Sequence, residues 1–508
     1  MKHIYTATAW LCFAVTALVA AIAVFAYGPV SFYLKGYTGE FLAHPLVLLL
    51  AAASLFALLL ALCLRLRRAI DRAGWKLPLL LSVLLLCAQV FVTYHTYFFS
   101  VWDARFVLEG ARAYAYRTPD MIGIDYFNIY PNNLTLVGLY GSLLRLPMCV
   151  GMELGEERGL LLLILMQCVL NTACGFLLWS FTRRIAERFV NGATASAAAL
   201  LAWGAYALLI GLSPWFLVPY SDGTALILPV LLLWIWQRMG NRLPGALLLG
   251  ALGALAFLVK PQASIPMIAV ALCELTTLLA RRSGRSAAYL ALMAAAFLAI
   301  ALPAQTIVER QLGVQLDGER AVNPAHFLNM GLNAEHDGAY YHPDLEEALS
   351  VPGEQRTAWC LRSALERVKE YGVSGMAGHL LRKALVNFAD GGFAWGIDYA
   401  RNDLPLKDET VSPWMRSVVY ADGARYAALH SIEQAGWLLL LALCPLAALG
   451  LRKEADGVTT AMLLSIIGII AFNMLFEAKA RYVYIMVPVM IVTAASGLCA
   501  LFAGWRRR

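Results

Sequence analysis

The chain has 508 residues, 60% of them hydrophobic and 14% charged, with a mean hydropathy of +0.66. A soluble globular domain carries roughly a quarter charged residues, so the composition excludes that class and points to an all-α polytopic membrane protein. The net charge of +7 is no sign of a nucleic-acid partner. The basic residues stand in short connections between apolar runs, where they set topology.

In chain order the apolar runs are 8–27, 43–64, 77–100, 131–147, 159–181, 192–212, 223–237, 244–259, 264–280, 286–307, 434–451, 457–475 and 482–504. The first is too long for the core of a cleaved signal and reads as a retained span. Basic clusters follow six of the runs: Arg65 to Lys76, Arg183 to Arg188, Arg238 and Arg242, Arg281 to Arg285, Arg452 and Lys453, and Arg506 to Arg508. All six fall on one side only if 131–147 does not cross. That run opens on Pro-Asn-Asn and ends on Leu-Pro, which suits an outer helix that dips and returns. The expectation is therefore about twelve transmembrane helices in a plasma (inner) membrane, with both termini cytoplasmic and outer-face amphipathic or re-entrant helices. Three regions follow: 1–307, holding the outer loop 101–158; an extracytoplasmic segment 308–433; and the C-terminal helices 434–508. Within the segment, apolar spacing predicts helices over 361–371 and 378–388.

The outer loops gather the chemistry. Asp103 closes the third run, in a stretch that also holds Arg105, Glu109, Arg112, Asp120, Asp125, Tyr126, Tyr130, Asn132 and Asn133. Asp222 follows Tyr220 in the next loop; Lys260 precedes Pro261; Lys479, Arg481 and Tyr482 precede the last run. Ionisable groups at membrane depth are costly and usually face a cavity or pathway. Asp103 is thus a candidate general base for an acceptor hydroxyl, with Asp222 a second carboxylate. The bland alternatives are solvation or pairing with Arg105 for Asp103, a helix cap for Asp222 and snorkelling for the cations. Lys260, Lys479, Arg481 and Tyr482 are candidates to hold a lipid phosphate, Arg through paired hydrogen bonds and Lys as a point charge. Tyr126, Tyr130, Tyr220, Asn132, Asn133, Arg105 and His326 are candidate substrate contacts. The turn Ala389 to Trp395 is a candidate lid. Most cysteines lie inside apolar runs; Cys149 and Cys360 alone fall outside and are a candidate disulfide. No His/Cys or carboxylate spacing specifies a metal, so no cofactor is expected.

The order of these motifs resembles the membrane glycosyltransferases of the C superfamily, bacterial relatives of protein O-mannosyltransferases and aminoarabinose transferases. An acid follows an early span (Trp102-Asp103-Ala-Arg), Tyr130-Pro131-Asn132-Asn133 opens a returning outer helix, Tyr220-Ser221-Asp222 sits in the next loop, and Ala-Arg481-Tyr482 precedes the last span. The family often has two adjacent acids where this chain has Asp103-Ala104. The resemblance implies an inverting glycosyltransferase on the extracytoplasmic face. Its donor would be a polyprenyl-phosphate sugar, and its acceptor a glycan, lipid or protein hydroxyl. In that scheme Asp103 deprotonates the acceptor, while Lys260 and Arg481 stabilise the departing phosphate. The alternatives are a lipid or polysaccharide transporter or flippase, which would favour charged groups in mid-span, and a polysaccharide polymerase or ligase, which would rely on Arg and His in the long loop.

Overall fold

The computed structural model describes residues 2–26, 41–119, 123–398, 401–402, 410–453 and 456–506. Asp120 and most of the first outer connection, 28–42, lie outside the described residues. Helices dominate. Among the described residues the β structure is one antiparallel two-residue ladder, which pairs Phe99 with Asn402 and Ser100 with Arg401.

The N-terminal part runs through α1 (Lys2–Phe25), α2 (Pro45–Ala73) and α3 (Lys76–Thr96). The ladder follows, then α4 (Asp103–Tyr116) and α5 (Leu134–Met148). Next come α6 (Glu156–Ala186), α7 (Gly192–Tyr206), α8 (Leu228–Met239), α9 (Leu243–Val259), α10 (Ile265–Arg281) and α11 (Gly284–Ala301). The long segment contributes α12 (Pro324–Met330), α13 (His342–Ser350) and α14 (Gly353–Phe388), and the chain returns to the bundle with α15 (Tyr426–Leu451), α16 (Gly457–Leu475) and α17 (Val487–Arg506).

Ten helices among the described residues are long and apolar enough to cross a membrane. The expected runs at 223–237 and 244–259 form shorter elements, α8 of 12 residues and α9 of 17. Pro229 is the second residue of α8, and Pro261 stands two residues past the end of α9. α5 has 15 residues, about 22 Å at 1.5 Å each, which is short of a hydrocarbon core of about 30 Å.

Small residues set the helix contacts, as expected where lipid gives helices no hydrophobic reason to associate. A Cβ on Gly250 of α9 would lie 2.2 Å from the Met293 carbonyl oxygen of α11. One on Gly450 of α15 would lie 2.1 Å from the Gly497 oxygen of α17. α4 packs on α5, where a Cβ at Gly141 would lie 2.4 Å from the Tyr114 ring.

The two helices expected in the long segment form as one run, α14, broken at Gly372 with φ 56° and ψ −169°. Its second half reaches under the loop between α16 and α17. Asn387 Oδ1 accepts from the Lys479 backbone N–H at 2.8 Å, and Lys383 donates to the Gly331 carbonyl at 2.5 Å. Cys149 and Cys360 are free thiols, the first exposed and the second buried, so the candidate disulfide is absent.

Candidate functional site

Four chain breaks meet at one end of the bundle. Asp103 is the first residue of α4, directly after the ladder that pins Phe99 and Ser100. Tyr220 is fully extended and leads into a single turn, Ser221–Ala225, whose start carries Asp222. Lys260 is extended between α9 and the turn Pro261–Ser264. Arg481 opens the short helix Arg481–Tyr484 before α17. Each residue sits where a helix stops, so its side chain can reach across the end of the bundle.

At the centre is a buried triangle of charge. Lys260 Nζ lies 2.5 Å from Asp222 Oδ1, and Arg481 Nε lies 3.3 Å from Asp222 Oδ2. All three residues are buried, at 2% exposure for Asp222, 5% for Lys260 and 4% for Arg481. The Lys260 ammonium also faces the Tyr482 ring at 4.9 Å. The Arg481 guanidinium lies 4.5 Å from the Trp102 ring, 5.3 Å from Trp215 and 5.5 Å from Tyr220. These faces supply attraction that water would otherwise give.

Asp103 stands one aromatic ring away from this triangle. The Tyr220 hydroxyl lies 3.3 Å from Asp103 Oδ2 and 3.2 Å from Asn133 Oδ1, so its one proton serves either acceptor in turn. Asn133 Nδ2 donates to the Tyr126 hydroxyl at 2.6 Å, and Tyr126 in turn bonds Asp103. Burial, with the neighbouring Tyr220 and Asp103, pushes the Tyr126 phenol far above its ordinary value, so it stays a neutral donor. Asp103 itself is only half-buried. Arg105 is engaged elsewhere, 2.5 Å from Glu109 and 2.5 Å from Glu156. Tyr130 stacks at a tilt on Tyr126, 5.3 Å between centroids, and its phenol is raised mainly by burial. Asn132 is exposed and lies 3.5 Å from Asn133.

Asp103, Asp222, Lys260, Arg481, Tyr482, Tyr220, Tyr126, Tyr130 and Asn133 therefore form one continuous network, and Lys479 belongs to its loop with a half-buried side chain. His326 is held elsewhere. It is fully buried in α12, and its charged neighbours are Asp344, Arg356 and Arg367. Burial pushes its imidazole down to about 4. The turn at 389–395 is a buried wedge. Trp215 donates its indole N–H to the Gly392 and Phe393 carbonyls at 3.2 and 3.1 Å. Phe393 and Ala394 have positive φ, and Asp390 accepts from the Gly392 and Ala394 N–H groups at 2.8 and 2.6 Å, which holds that uncommon backbone.

Three residues of the network escaped the sequence reasoning. Trp102 and Trp215 frame Arg481, and Glu477 is buried beside Tyr482 with its carboxyl pushed up chiefly by burial. Glu477 was detectable in the alternation Glu477-Ala-Lys479-Ala-Arg481, which puts three charges on one side of an extended segment.

Long apolar helices around a buried charged cluster define an all-α, multi-pass integral membrane protein. The model of a family described as a conserved hypothetical integral membrane protein matches residues 3–498, and the chain belongs to that family. No curated protein matches it.

Proposed function

We propose that the protein is a glycosyltransferase that moves a sugar from a polyprenyl-phosphate donor to an acceptor hydroxyl, with inversion, on the extracytoplasmic face. The observation that carries this is a half-buried carboxylate, Asp103, set across the Tyr220 ring from the buried Arg481 guanidinium, which shares Asp222 with Lys260. Asp103 is the base that takes the acceptor proton. Tyr126 and Tyr220 orient it, with Asn133 bonded to both of them, and the half-buried carboxylate keeps lone pairs for the acceptor. Lys260 and Arg481 stabilise the leaving phosphate, Arg481 through a guanidinium with five N–H donors. Asp222 acts as the counter-ion that holds both cations in place without substrate. Aromatic faces from Trp102, Tyr126 and Tyr130 suit the sugar ring.

The experiment is reconstitution of the purified chain in vesicles with a panel of polyprenyl-phosphate sugars, reading release of polyprenyl phosphate. Asp103→Asn should lower turnover by about 10²–10⁴-fold, the range for general-base catalysis, with unchanged folding. Turnover that survives the substitution refutes the assignment. Consumption of no member of the panel by the unaltered chain refutes the donor class.

A further inference from the structure

α10 runs from the Lys260 end of the bundle to the other end, where the arginine clusters stand, and α16 runs back. There a cavity of about 440 Å³ opens between the start of α1, the ends of α8 and α10 and the start of α16. This is within the size range of small-molecule sites. It lies at the opposite ends of α10 and α16 from the candidate active site and plays no part in the glycosyl-transfer reading.

Its polar lining falls into two sets. Arg188 and Asp456 are ion-paired and neutralise each other. Tyr5 and Thr277 bond each other, and the second set is Glu274 and Arg281. Glu274 is only 6% exposed, and its partner is the Ser286 hydroxyl, which donates to Oε2 at 2.8 Å. Among the described residues no cation comes within ion-pair distance of it. Arg281, seven residues on, makes no ion pair among the described residues. Side chains on a helix lean toward its N-terminus, so Arg281 leans back toward Glu274 across the cavity mouth. The cavity thus offers an acceptor carboxylate from Glu274 and a donor guanidinium from Arg281. A buried carboxylate with a single hydroxyl partner is costly unless a cation completes it. The matching ligand carries both signs close together.

We propose that this cavity binds an aminoalkyl phosphate, with its ammonium against Glu274 and its phosphate against Arg281. Two sources carry that chemistry: an ethanolamine phospholipid of the adjoining leaflet and free phosphoethanolamine.

The test is native mass spectrometry of the full chain released from detergent after titration with phosphatidylethanolamine, phosphatidylglycerol or free phosphoethanolamine. The expected result is retention of at least one amine-bearing ligand over phosphatidylglycerol by about tenfold or more, equivalent to about 1.4 kcal/mol. Retention of phosphatidylethanolamine identifies a lipid site, and retention of free phosphoethanolamine alone identifies a soluble ligand. Glu274→Gln keeps a partner for Ser286 and should reduce the preference to near parity. Arg281→Ala, at an exposed position that folding tolerates, should weaken every phosphate ligand. Equal retention of all three by the unaltered chain, or an unchanged amine preference in Glu274→Gln, overturns the proposal. Asp103→Asn should leave this binding intact, so a failed glycosyl-transfer assay and a failed binding assay are separable.

Discussion

Neutralising Asp222 tests the charge triangle directly. Its carboxylate oxygens lie 2.5 Å from Lys260 Nζ and 3.3 Å from Arg481 Nε, with all three residues at least nine-tenths buried. At an effective dielectric constant of about 20 the two attractions amount to ~7 and ~5 kcal/mol before desolvation is counted. Asp222→Asn removes both and leaves two buried cations facing each other. Stranding a buried partner costs about 3–5 kcal/mol, and here two are stranded. Lys260→Met is different in kind, because Asp222 keeps Arg481 and no charge is left alone. The expected order is therefore a large loss for Asp222→Asn and a distinctly smaller one for Lys260→Met. Unfolding of the purified protein in mixed detergent with increasing sodium dodecyl sulfate, followed by tryptophan fluorescence, measures both. Adding a polyprenyl phosphate should restore part of the loss in Asp222→Asn, since its anionic group takes the place of the missing carboxylate. Equal losses in the two variants, or a greater loss in Lys260→Met, would refute the claim that Asp222 is what holds the cations together.

Other expectations concern pH and packing. Burial lowers Lys383 to about 7 in the folded chain, against an ordinary value near 10.5. Between those values the unfolded chain holds a proton that the folded one lacks. Stability should therefore rise with pH from about 7 to about 10.5, at up to about 1.4 kcal/mol per pH unit. Lys383→Met should flatten that rise in urea titrations at pH 7 and 9. His326 behaves likewise at lower pH. Its folded value of about 4 lies below the ordinary 6.5, so its contribution is complete above 6.5 and is lost as pH falls toward 4. His326→Phe should remove that loss, and an unaltered acid profile would show the imidazole to be less enclosed than its burial indicates. Gly250→Leu should cost about 1–3 kcal/mol or prevent folding, because a Cβ there meets the Met293 carbonyl at 2.2 Å; a wild-type unfolding midpoint would contradict the close α9–α11 crossing.

The parts of the fold that were legible in the sequence are those fixed by local chemistry. Long apolar runs become helices because backbone polar groups in lipid must be satisfied within the segment. The helix break at Gly372 was visible as a gap between two apolar patterns, and the short helix α5 as a run bounded by prolines. The short α8 was harder. An apolar run of 15 residues looks the same whether it forms one helix or, as here, the turn Ser221–Ala225 followed by a 12-residue helix behind Pro229. What divides it is the bond network around Asp222, which pairing with distant Lys260 and Arg481 sets.

The candidate site divides along the same line. Charge parity of the loops was enough to put Asp103, Asp222, Lys260 and Arg481 on a common side, because each loop's side follows from counting crossings. It says nothing about which acid meets which cation. In the structure the two acids part company. Asp222 is enclosed by both cations and has little left to offer an incoming hydroxyl, whereas Asp103 contacts neutral donors, Tyr220 and Tyr126, and stays half-open. A base needs an accessible lone pair, and a counter-ion needs enclosure. Under the proposed glycosyl transfer, those two requirements make Asp103 the base and Asp222 the counter-ion, a division that spacing alone left open. The same proposal has Asp103 act without an adjacent acid. In place of a neighbouring negative charge it has Tyr220 and Tyr126, which direct it through hydrogen bonds and add no charge beside the proposed phosphate site.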